Sequence, residues 1–399
     1  MRILQLCHKI PYPPTDGGSI AMHQITRGLM NKGIKVKVMA LAPGDGQSTP
    51  PLPDKDYVSE TGLEIFQVDT RIRPWPAFTN LFTRGSYNIS RFYSSKFARR
   101  LADILRKETY DIIQLEGLHL TPYIPVIRDN TGATLLFRSH NIEHFIWERM
   151  ANFAKNPIKK FYFRFLARRL KMYEMKTVHL VDGLIAISPL DQYFFEKNGF
   201  NHPAITIPVA ADPTFHRKHD ELAIADSVFH LGSMNWRPNR EGIKWFLDHV
   251  WPLVTKKNSQ LGFYMAGKNI PPSLKQYQGD NIFIDGEVED ASTYMASREL
   301  MVVPLRSGGG MRVKIIEGMA AGKAIVSTSI GAEGINCTHG ENILLADTPS
   351  EMAEAIVHCF ADKNRMESIG RAARDFAVKQ HHPEPMMEKL INFYRCFTQ

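Results

Sequence analysis

Residues 301–334 read MVVPLRSGGGMRVKIIEGMAAGKAIVSTSIGAEG, and the rest of the chain is organised around them. Met301-Val302-Val303-Pro304-Leu305 is a short apolar run with β-branched residues. Ser307 and then Gly308, Gly309 and Gly310 close it, which is how a buried strand ends in a tight loop. From Met311 to Ala321 the apolar residues Met311, Ile315, Ile316 and Met319 recur at helical spacing, and Gly322 stands where a helix stops. Ala324-Ile325-Val326-Ser327-Thr328 reads as a second buried strand. The unit is strand, glycine loop, helix, strand, the building element of a doubly wound α/β domain.

A glycine loop that opens onto a helix offers unobstructed backbone N–H groups and the positive end of the helix dipole, which suit a phosphate or another anion. Arg312 and Lys314 bring cations into the first turn, where the dipole disfavours them unless an anion is there to be met. Glu317, one turn on and beside Gly318, can accept hydrogen bonds from a pair of sugar hydroxyls. The plainer reading leaves the glycines as a turn and the charges solvated.

The stretch resembles the nucleotide-sugar site of retaining glycosyltransferases of the GT-B fold, in particular glycosyltransferase family 4. Glu317-Gly318-Met319-Ala320-Ala321-Gly322-Lys323-Ala324-Ile325-Val326 is similar to the family's Met-Ala-x-Gly-x-Pro-Val segment with its preceding glutamate. The family's other glutamate, which usually contacts the donor sugar, would fall at Gly309 and is absent. In its place the amides of Gly308, Gly309 and Gly310 are expected to take over that contact and Arg312 with Lys314 to hold the diphosphate, an inference outside the general family pattern, and Glu317 is expected to anchor the ribose.

The start of the chain repeats the pattern. Arg2 to Cys7 reads as a buried strand, HKIPYPPTDGGSI as a loop, Ser19 to Lys32 as a helix stopped by Gly33, and Val36 to Leu41 as strand two. Asp16, Gly17 and Gly18 match the family's N-terminal Gly-Gly segment, which faces the cleft between its domains; a turn without ligand is the other reading. Residues 43 to 56 look like a surface loop, Leu63 to Val68 a strand and Ser94 to Lys107 an amphipathic helix. Tyr110 to Glu116 reads as a strand that places Glu116 at its end, facing the cleft. Leu135 to Arg138 delivers Ser139-His140-Asn141-Ile142-Glu143 into a loop at a strand end, where open α/β sheets bind ligands. A similar His-Asn-x-Glu segment borders acceptor and donor sugar in the family. The resemblance therefore puts His140 near the reacting carbon and Asp16, Glu116, Asn141 and Glu143 on the acceptor side.

After Pro157, Tyr162, Leu166, Leu170 and Tyr173 share one helical face, with Lys160, Arg164, Arg168 and Lys171 opposite. Such a helix suits an anionic membrane surface, or it packs its apolar face on the protein and leaves a solvated basic face. Val181 to Ser188 reads as a strand, and Ser188 with Asp191 as the cap of the next helix. Ala204 to Asp212 resembles the family's crossing into the second domain. The next strand, Ser227 to Leu231, runs into Gly232-Ser233, a donor-side turn in the family. Arg237 and Arg240 rank below Arg312 and Lys314 as phosphate contacts. Ile282 to Val288 reads as a strand with a glycine end and resembles the family's loop whose backbone receives the nucleotide base. A closing helix, Glu384 to Cys396, crosses back onto the first domain in this fold.

The expected architecture is α/β, GT-B, with two doubly wound Rossmann-like domains facing across a cleft. Residues 1–212 would form the acceptor-side domain, 213–380 the nucleotide-sugar domain and 381–399 the returning helix. A length of 399 residues suits about two domains, and 44% hydrophobic with 23% charged residues suits a globular protein. There is no apolar run of about 18 residues or more, and the first residues read as a strand rather than a signal peptide. Cys7, Cys337, Cys359 and Cys396 lack metal-ligand spacing, so reduced thiols in a cytoplasmic protein are expected, with an inner-membrane seat left open. A net charge of +8 favours anionic partners without choosing among them.

The implied reaction is metal-independent, retaining transfer of a hexosyl group from a UDP or GDP sugar to a hydroxyl on a glycan or lipid-linked acceptor. No cofactor, metal or nucleic acid is expected. The general base stays unassigned, and the donor phosphate is one candidate. Rival readings are a nucleotide-sugar 2-epimerase of the same fold and a catalytically silent nucleotide-sugar or glycan-binding partner. Nucleic-acid binding, resting on charge alone, ranks last.

Overall fold

The computed structural model describes residues 1–44, 53–71, 86–154, 156–211 and 224–398. It divides into two compact units, Met1–Pro208 with Glu384–Gln399, and Val209–Pro383.

The first unit holds a parallel sheet of β1 (Arg2–Cys7), β2 (Lys35–Gly44), β3 (Glu64–Asp69), β4 (Ile112–Glu116), β5 (Thr134–Ser139), β6 (Gly183–Ala186) and β7 (Ala204–Thr206), in the order β3-β2-β1-β4-β5-β6-β7. Its strands are nearly continuous apolar runs because helices cover both faces. Leu4, Leu6, Ile113, Leu115, Leu135 and Phe137 pack with Phe97, Leu101 and Ile104 of helix Ser95–Lys107 in one core. Each such fully buried side chain contributes about 1.5–3 kcal/mol. The closing helix, Pro383–Arg395, buries Met386, Met387, Leu390 and Tyr394 and belongs to this unit. It packs so closely on helix Gly17–Asn31 that a Cβ at Gly28 would lie 2.4 Å from the Met387 terminal methyl.

The second unit holds β8 (Ser227–Leu231), β9 (Gly262–Ala266), β10 (Ile282–Gly286), β11 (Leu300–Val303), β12 (Ala324–Ser327) and β13 (Leu344–Leu345), all parallel, in the order β10-β9-β8-β11-β12-β13. Its core gathers Val228, Phe263, Met265, Leu300, Val302 and Val326 under Phe246, Trp251 and Ile356. Strand order reverses between β1 and β4 in one sheet and between β8 and β11 in the other. At such a point neighbouring crossovers leave to opposite faces and open a crevice at the strands' carboxyl ends.

Several elements differ from expectation. Lys55–Thr61 is a helix, capped by Asp54 and ended by Gly62 at φ +56°, that begins inside the expected loop of residues 43 to 56 and runs on beyond it; residues 45–52 lie outside the described residues. The first helix begins at Gly17, because Asp16 makes a capping box with Ser19. Glu143 opens helix Glu143–Phe153 rather than lying in a loop. The unit boundaries fall at Pro208 and Pro383, against the expected 212 and 380. His381 explains part of this, since its Nδ1 donates to the Val209 carbonyl at 2.7 Å and its own carbonyl accepts from Ala211 at 2.8 Å. Asp212 lies outside the described residues.

Helix Pro157–Val178 settles one alternative. Leu170 is buried and Leu166 and Tyr173 are half-buried, so that face packs on the protein, with only Tyr162 exposed. Glu174 of the same helix reaches the N-terminus of Glu143–Phe153. It accepts from the Glu143 amide at 3.0 Å and pairs with His144 Nδ1 at 2.7 Å, so the two helices form a hairpin. No described helix is long and apolar enough to cross a membrane.

Candidate active site

Each switch point carries its own cluster of polar side chains. In the first unit the cluster follows from strand register. Parallel pairing sets Gln5 beside Gln114, and Glu116 beside Arg138, on one face of the sheet. Glu116 is fully buried. It accepts from Gln5 Nε2 at 2.8 Å, Gln114 Nε2 at 2.6 Å, Arg138 Nη1 at 3.2 Å and His140 Nε2 at 2.7 Å. Thr26 of the first helix donates to Gln5 at 2.6 Å, and Tyr394 of the closing helix donates to Gln114. Burial alone would raise the Glu116 carboxyl, but Arg138, His140 and Gln114 outweigh it and hold it at about 2.

Glu116 was expected to face ligand. It is instead enclosed, because the even-numbered positions of β4 point under the covering helices. Its carboxylate meets His140 just beyond the carboxyl end of β5. Since a carboxylate only accepts, His140 Nε2 carries the proton and Nδ1 keeps its lone pair. His8 fixes its tautomer in the same way, with Nδ1 donating to the Glu116 carbonyl at 2.6 Å. Gly117, at φ +97°, permits this approach, for a Cβ there would stand 3.0 Å from His8 Nδ1. The rings of His8 and His140 meet edge to face at 5.6 Å, and His119 lies 5.5 Å from His8. Burial lowers all these imidazoles, His119 to about 3, so the group is neutral at pH 7.

Around this core, Lys9 pairs with Asp16 at 2.5 Å. Burial raises the Asp16 carboxyl, but Lys9 and the cap amides bring it below the ordinary carboxylate range. Asp16 already accepts from the Gly18 amide at 2.9 Å, so the Gly17-Gly18 pair forms the first helical turn and the Gly18 N–H is committed to the cap. Asn141 donates to Glu143 at 3.3 Å. Burial, then the neighbouring Glu174 carboxylate, push the Glu143 carboxyl up to about 7, so it can take or give a proton near neutrality.

In the second unit the glycine loop follows β11, with Gly308 at φ +107° and Gly310 at φ +74°. Arg312 caps helix Val313–Ala320 in sequence only. Its side chain folds back so that Nη1 donates to the carbonyls of Gly309 and Gly310, and its guanidinium covers the Trp236 ring at 5.1 Å. It is buried and shapes the loop, where the sequence suggested a phosphate contact. Trp236 also guards the loop, since a Cβ at Gly308 would lie 2.8 Å from it.

Lys314 stands half-buried near the carboxyl end of β8, at the switch point. Its ammonium donates to Asn239 Oδ1 at 3.0 Å and to His230 Nε2 at 3.3 Å. The His230 tautomer is set by Nδ1, which donates to the Val302 carbonyl at 2.9 Å, so Nε2 accepts. Burial lowers His230 well below its ordinary value. Gly232 makes room for the cation: a Cβ there would sit 2.3 Å from Lys314 Nζ. Ser233 completes the turn, its carbonyl accepting from Asn239 at 2.8 Å. Burial and then Arg312 lower the Lys314 ammonium to about 7, against the partly opposing Glu317. Glu317 lies half-buried one turn further along the helix. Arg237 pairs with Glu241 and Arg240 donates to the Met234 carbonyl, and both leave Lys314 as the cation of this site. Val288, half-buried, follows the end of β10. Nearby a cavity of 380 Å³ is lined by Gly267, Asn269, Ile270 and Glu287, among others.

His230, Asn239, Gln5, Gln114, Tyr394 and Glu174 escaped the sequence reading. The available signal was polar side chains inside otherwise apolar strands, as His230 in SVFHL and Gln114 with Glu116 in IIQLE.

Two parallel Rossmann-like sheets of this order, each with a cluster of polar side chains at its switch point, are the architecture of the GT-B fold. Residues 225–362 match the model of the family described as Glycosyl transferases group 1. Sucrose-phosphate synthase from Thermosynechococcus elongatus has the same fold, with TM-score 0.75 at 15% identity over 99% of both chains. HepE from Anabaena, solved in complex with UDP-glucose, gives TM-score 0.68 at 14% identity, covering 99% of this chain and 100% of that one. By sequence, an uncharacterized 44.6 kDa protein in the cps region of Klebsiella pneumoniae is 24% identical over 309 residues, which are 74% of this chain and 77% of that protein.

Proposed function

We propose that the protein moves a hexosyl group from a nucleoside diphosphate sugar, UDP or GDP, to a hydroxyl of a glycan or lipid-linked acceptor. In this reading the transfer proceeds with retention and without a metal ion, and it serves cell-surface polysaccharide or glycoconjugate synthesis. The observation that carries it is the Lys314 ammonium under Gly232, held by the neutral groups His230 and Asn239 at a switch point. A cation placed between neutral groups and short of solvent is costly until an anion arrives. The diphosphate leaving group is that anion, and the charge developing on it is met by Lys314 and by the loop amides. Glu317 then holds the ribose, and the Val288 loop with its neighbouring cavity the base. His140 and Glu143 of the first unit serve the sugar and the acceptor.

HepE with UDP-glucose and S. aureus TarM with UDP support the donor class, and the cps-region relative supports the polysaccharide setting. The unpaired state of all four cysteines suits a cytoplasmic enzyme.

The test is calorimetric titration with UDP, GDP and their hexose conjugates, with and without chelator, followed by product analysis. Chelator-resistant binding with transfer is expected; binding without turnover would instead identify a silent partner, as the glycine at position 309 also allows. Glu317→Ala is expected to weaken donor binding by about 10- to 100-fold, the loss of a charge-assisted hydrogen-bond pair. Gly309→Glu, restoring the family's carboxylate, is expected to leave binding intact. Equal affinity in Glu317→Ala would refute the ribose assignment.

A further inference from the structure

Glu143 and Glu174 bring two carboxyl groups to one end of the helical hairpin, and the donors there are shared unequally. Glu174 takes the Glu143 amide at 3.0 Å, the His144 amide at 3.4 Å and His144 Nδ1 at 2.7 Å. It is fully buried, and Tyr173 before it is tied to Thr121, in the helical turn after β4, at 2.8 Å. Glu143 has Asn141 Nδ2 as its side-chain donor, at 3.3 Å, and stands half-buried just past the loop that carries His140.

A helix start is where a carboxylate belongs, because the free N–H groups of the first turn and the positive end of the dipole favour it. Here that place is filled by Glu174, from a helix 31 positions further on, and not by Glu143, the first residue of the helix itself. When two carboxyl groups crowd one buried site, the one with more donors keeps the charge and the other keeps the proton. The groups that act on Glu143 come from three elements. Burial weighs most, then Glu174 from helix Pro157–Val178; Asn141 beside it and Lys9 from the loop after β1 oppose them, and Lys9 is itself paired with Asp16 at 2.5 Å.

We infer that Glu174, which touches no substrate itself, is a positioning residue for Glu143: it fixes the helix start that carries Glu143 past the end of β5 and takes the charge, so that Glu143 presents an O–H to the acceptor. An O–H there recognises a hydroxyl or ring oxygen of the acceptor sugar as a hydrogen-bond acceptor, which a carboxylate does not. The inference deepens the proposed function and rests on its placing of the acceptor at this switch point; the first part of its test needs no ligand.

That part is NMR of protein isotopically labelled at the glutamate δ-carbon, followed from pH 5 to 9, with Glu143→Gln to assign the signal. Glu143 is expected to titrate at about 7. Glu174→Gln should bring the midpoint down by about one pH unit or more, because a neighbouring negative charge is lost. Lys9→Met should move it up instead; that half-buried side chain leaves the hairpin untouched, so the test holds even where Glu174→Gln does not fold. The second part is release of nucleotide from the UDP- or GDP-hexose that binds, at saturating donor, where Lys314 no longer titrates. Turnover should fall in the parent as pH rises through the Glu143 midpoint, fall at lower pH in Glu174→Gln, and show no such step in Glu143→Gln. A Glu143 carboxyl that titrates in the ordinary range, about 4.3, would overturn the inference. So would a midpoint that neither Glu174→Gln nor Lys9→Met moves, or a step in turnover that persists in Glu143→Gln. Absence of turnover with every donor would refute the transfer reading alone, and the titration would still decide whether Glu174 governs Glu143.

Discussion

Lys314→Met is expected to lower turnover of the nucleotide-sugar donor by about a hundred- to a thousandfold, the effect of removing one preorganised group from a site where charge develops. Methionine keeps the length of the side chain but supplies no charge and no N–H. Asn239 and His230 would still be satisfied in part, by Ser233 and Val302, so the loss is one of function rather than fold. The pH dependence carries the argument further. In the free protein burial and Arg312 hold the ammonium at about 7. Donor phosphate binds the protonated form, so affinity should fall as pH rises through that value, and binding above it should take up a proton. The Met variant should lose this dependence.

Stability moves the other way. An ammonium whose folded value lies below its unfolded value binds fewer protons in the folded state, so its cost is full below about 7 and disappears toward the unfolded value near 10.4. Lys314→Met should therefore melt no lower than the parent at pH 6. Kinetics and calorimetry between pH 6 and 9, with thermal melts alongside, provide the check. A pH-independent parent affinity would count against the assignment.

Glu116→Gln is expected to cost the first unit about 3–5 kcal/mol, because it leaves Arg138 buried without its counter-charge. Urea unfolding measures this. Adding Arg138→Met should recover most of the loss, since removing both charges avoids the penalty that removing one creates. The acid side follows from the same carboxyl. Its folded value, about 2, is below the ordinary one near 4.3, so its contribution is present above that ordinary value and is lost as pH falls through the folded one. The Gln variant should show a shallower acid limb. It should also lose activity beyond its loss of stability, because His140 Nε2 no longer has a carboxylate that fixes the proton there and the lone pair on Nδ1.

All strands of both sheets but Leu344–Leu345 were legible in the sequence because parallel strands buried on two faces are short apolar runs with glycine, serine or proline at their ends, as in Leu300–Val303 and Ala324–Ser327. The glycine loop and the charges after it were also legible. What each charge does was not. Arg312 and Lys314 are two residues apart, yet one turns back into its loop and the other reaches Asn239, a matter of side-chain direction that spacing does not encode. Glu116 and His140 could be placed at strand ends. Their bond depends on pairing between β4 and β5, which no local pattern reveals. On helix Pro157–Val178 two apolar stripes share the same period. Only the hairpin with Glu143–Phe153 decides which of them is covered.

The Tyr394 hydroxyl and Gln114 are bonded across 280 positions of chain. That separation has a consequence for synthesis on the ribosome. Residues Met1–Pro208 emerge before the second unit, but the helix that helps cover the polar row of Gln5, Gln114 and Glu116 is made only after all of Val209–Pro383. At about 5–20 residues per second the interval is roughly ten to several tens of seconds. Through that time the nascent sheet waits with an ion pair and two amides under an incomplete roof, while the later-made unit already has every residue it needs. The sheet is thus closed only once Tyr394 has been made, and premature termination before that residue would leave the earlier-made sheet as the part that fails.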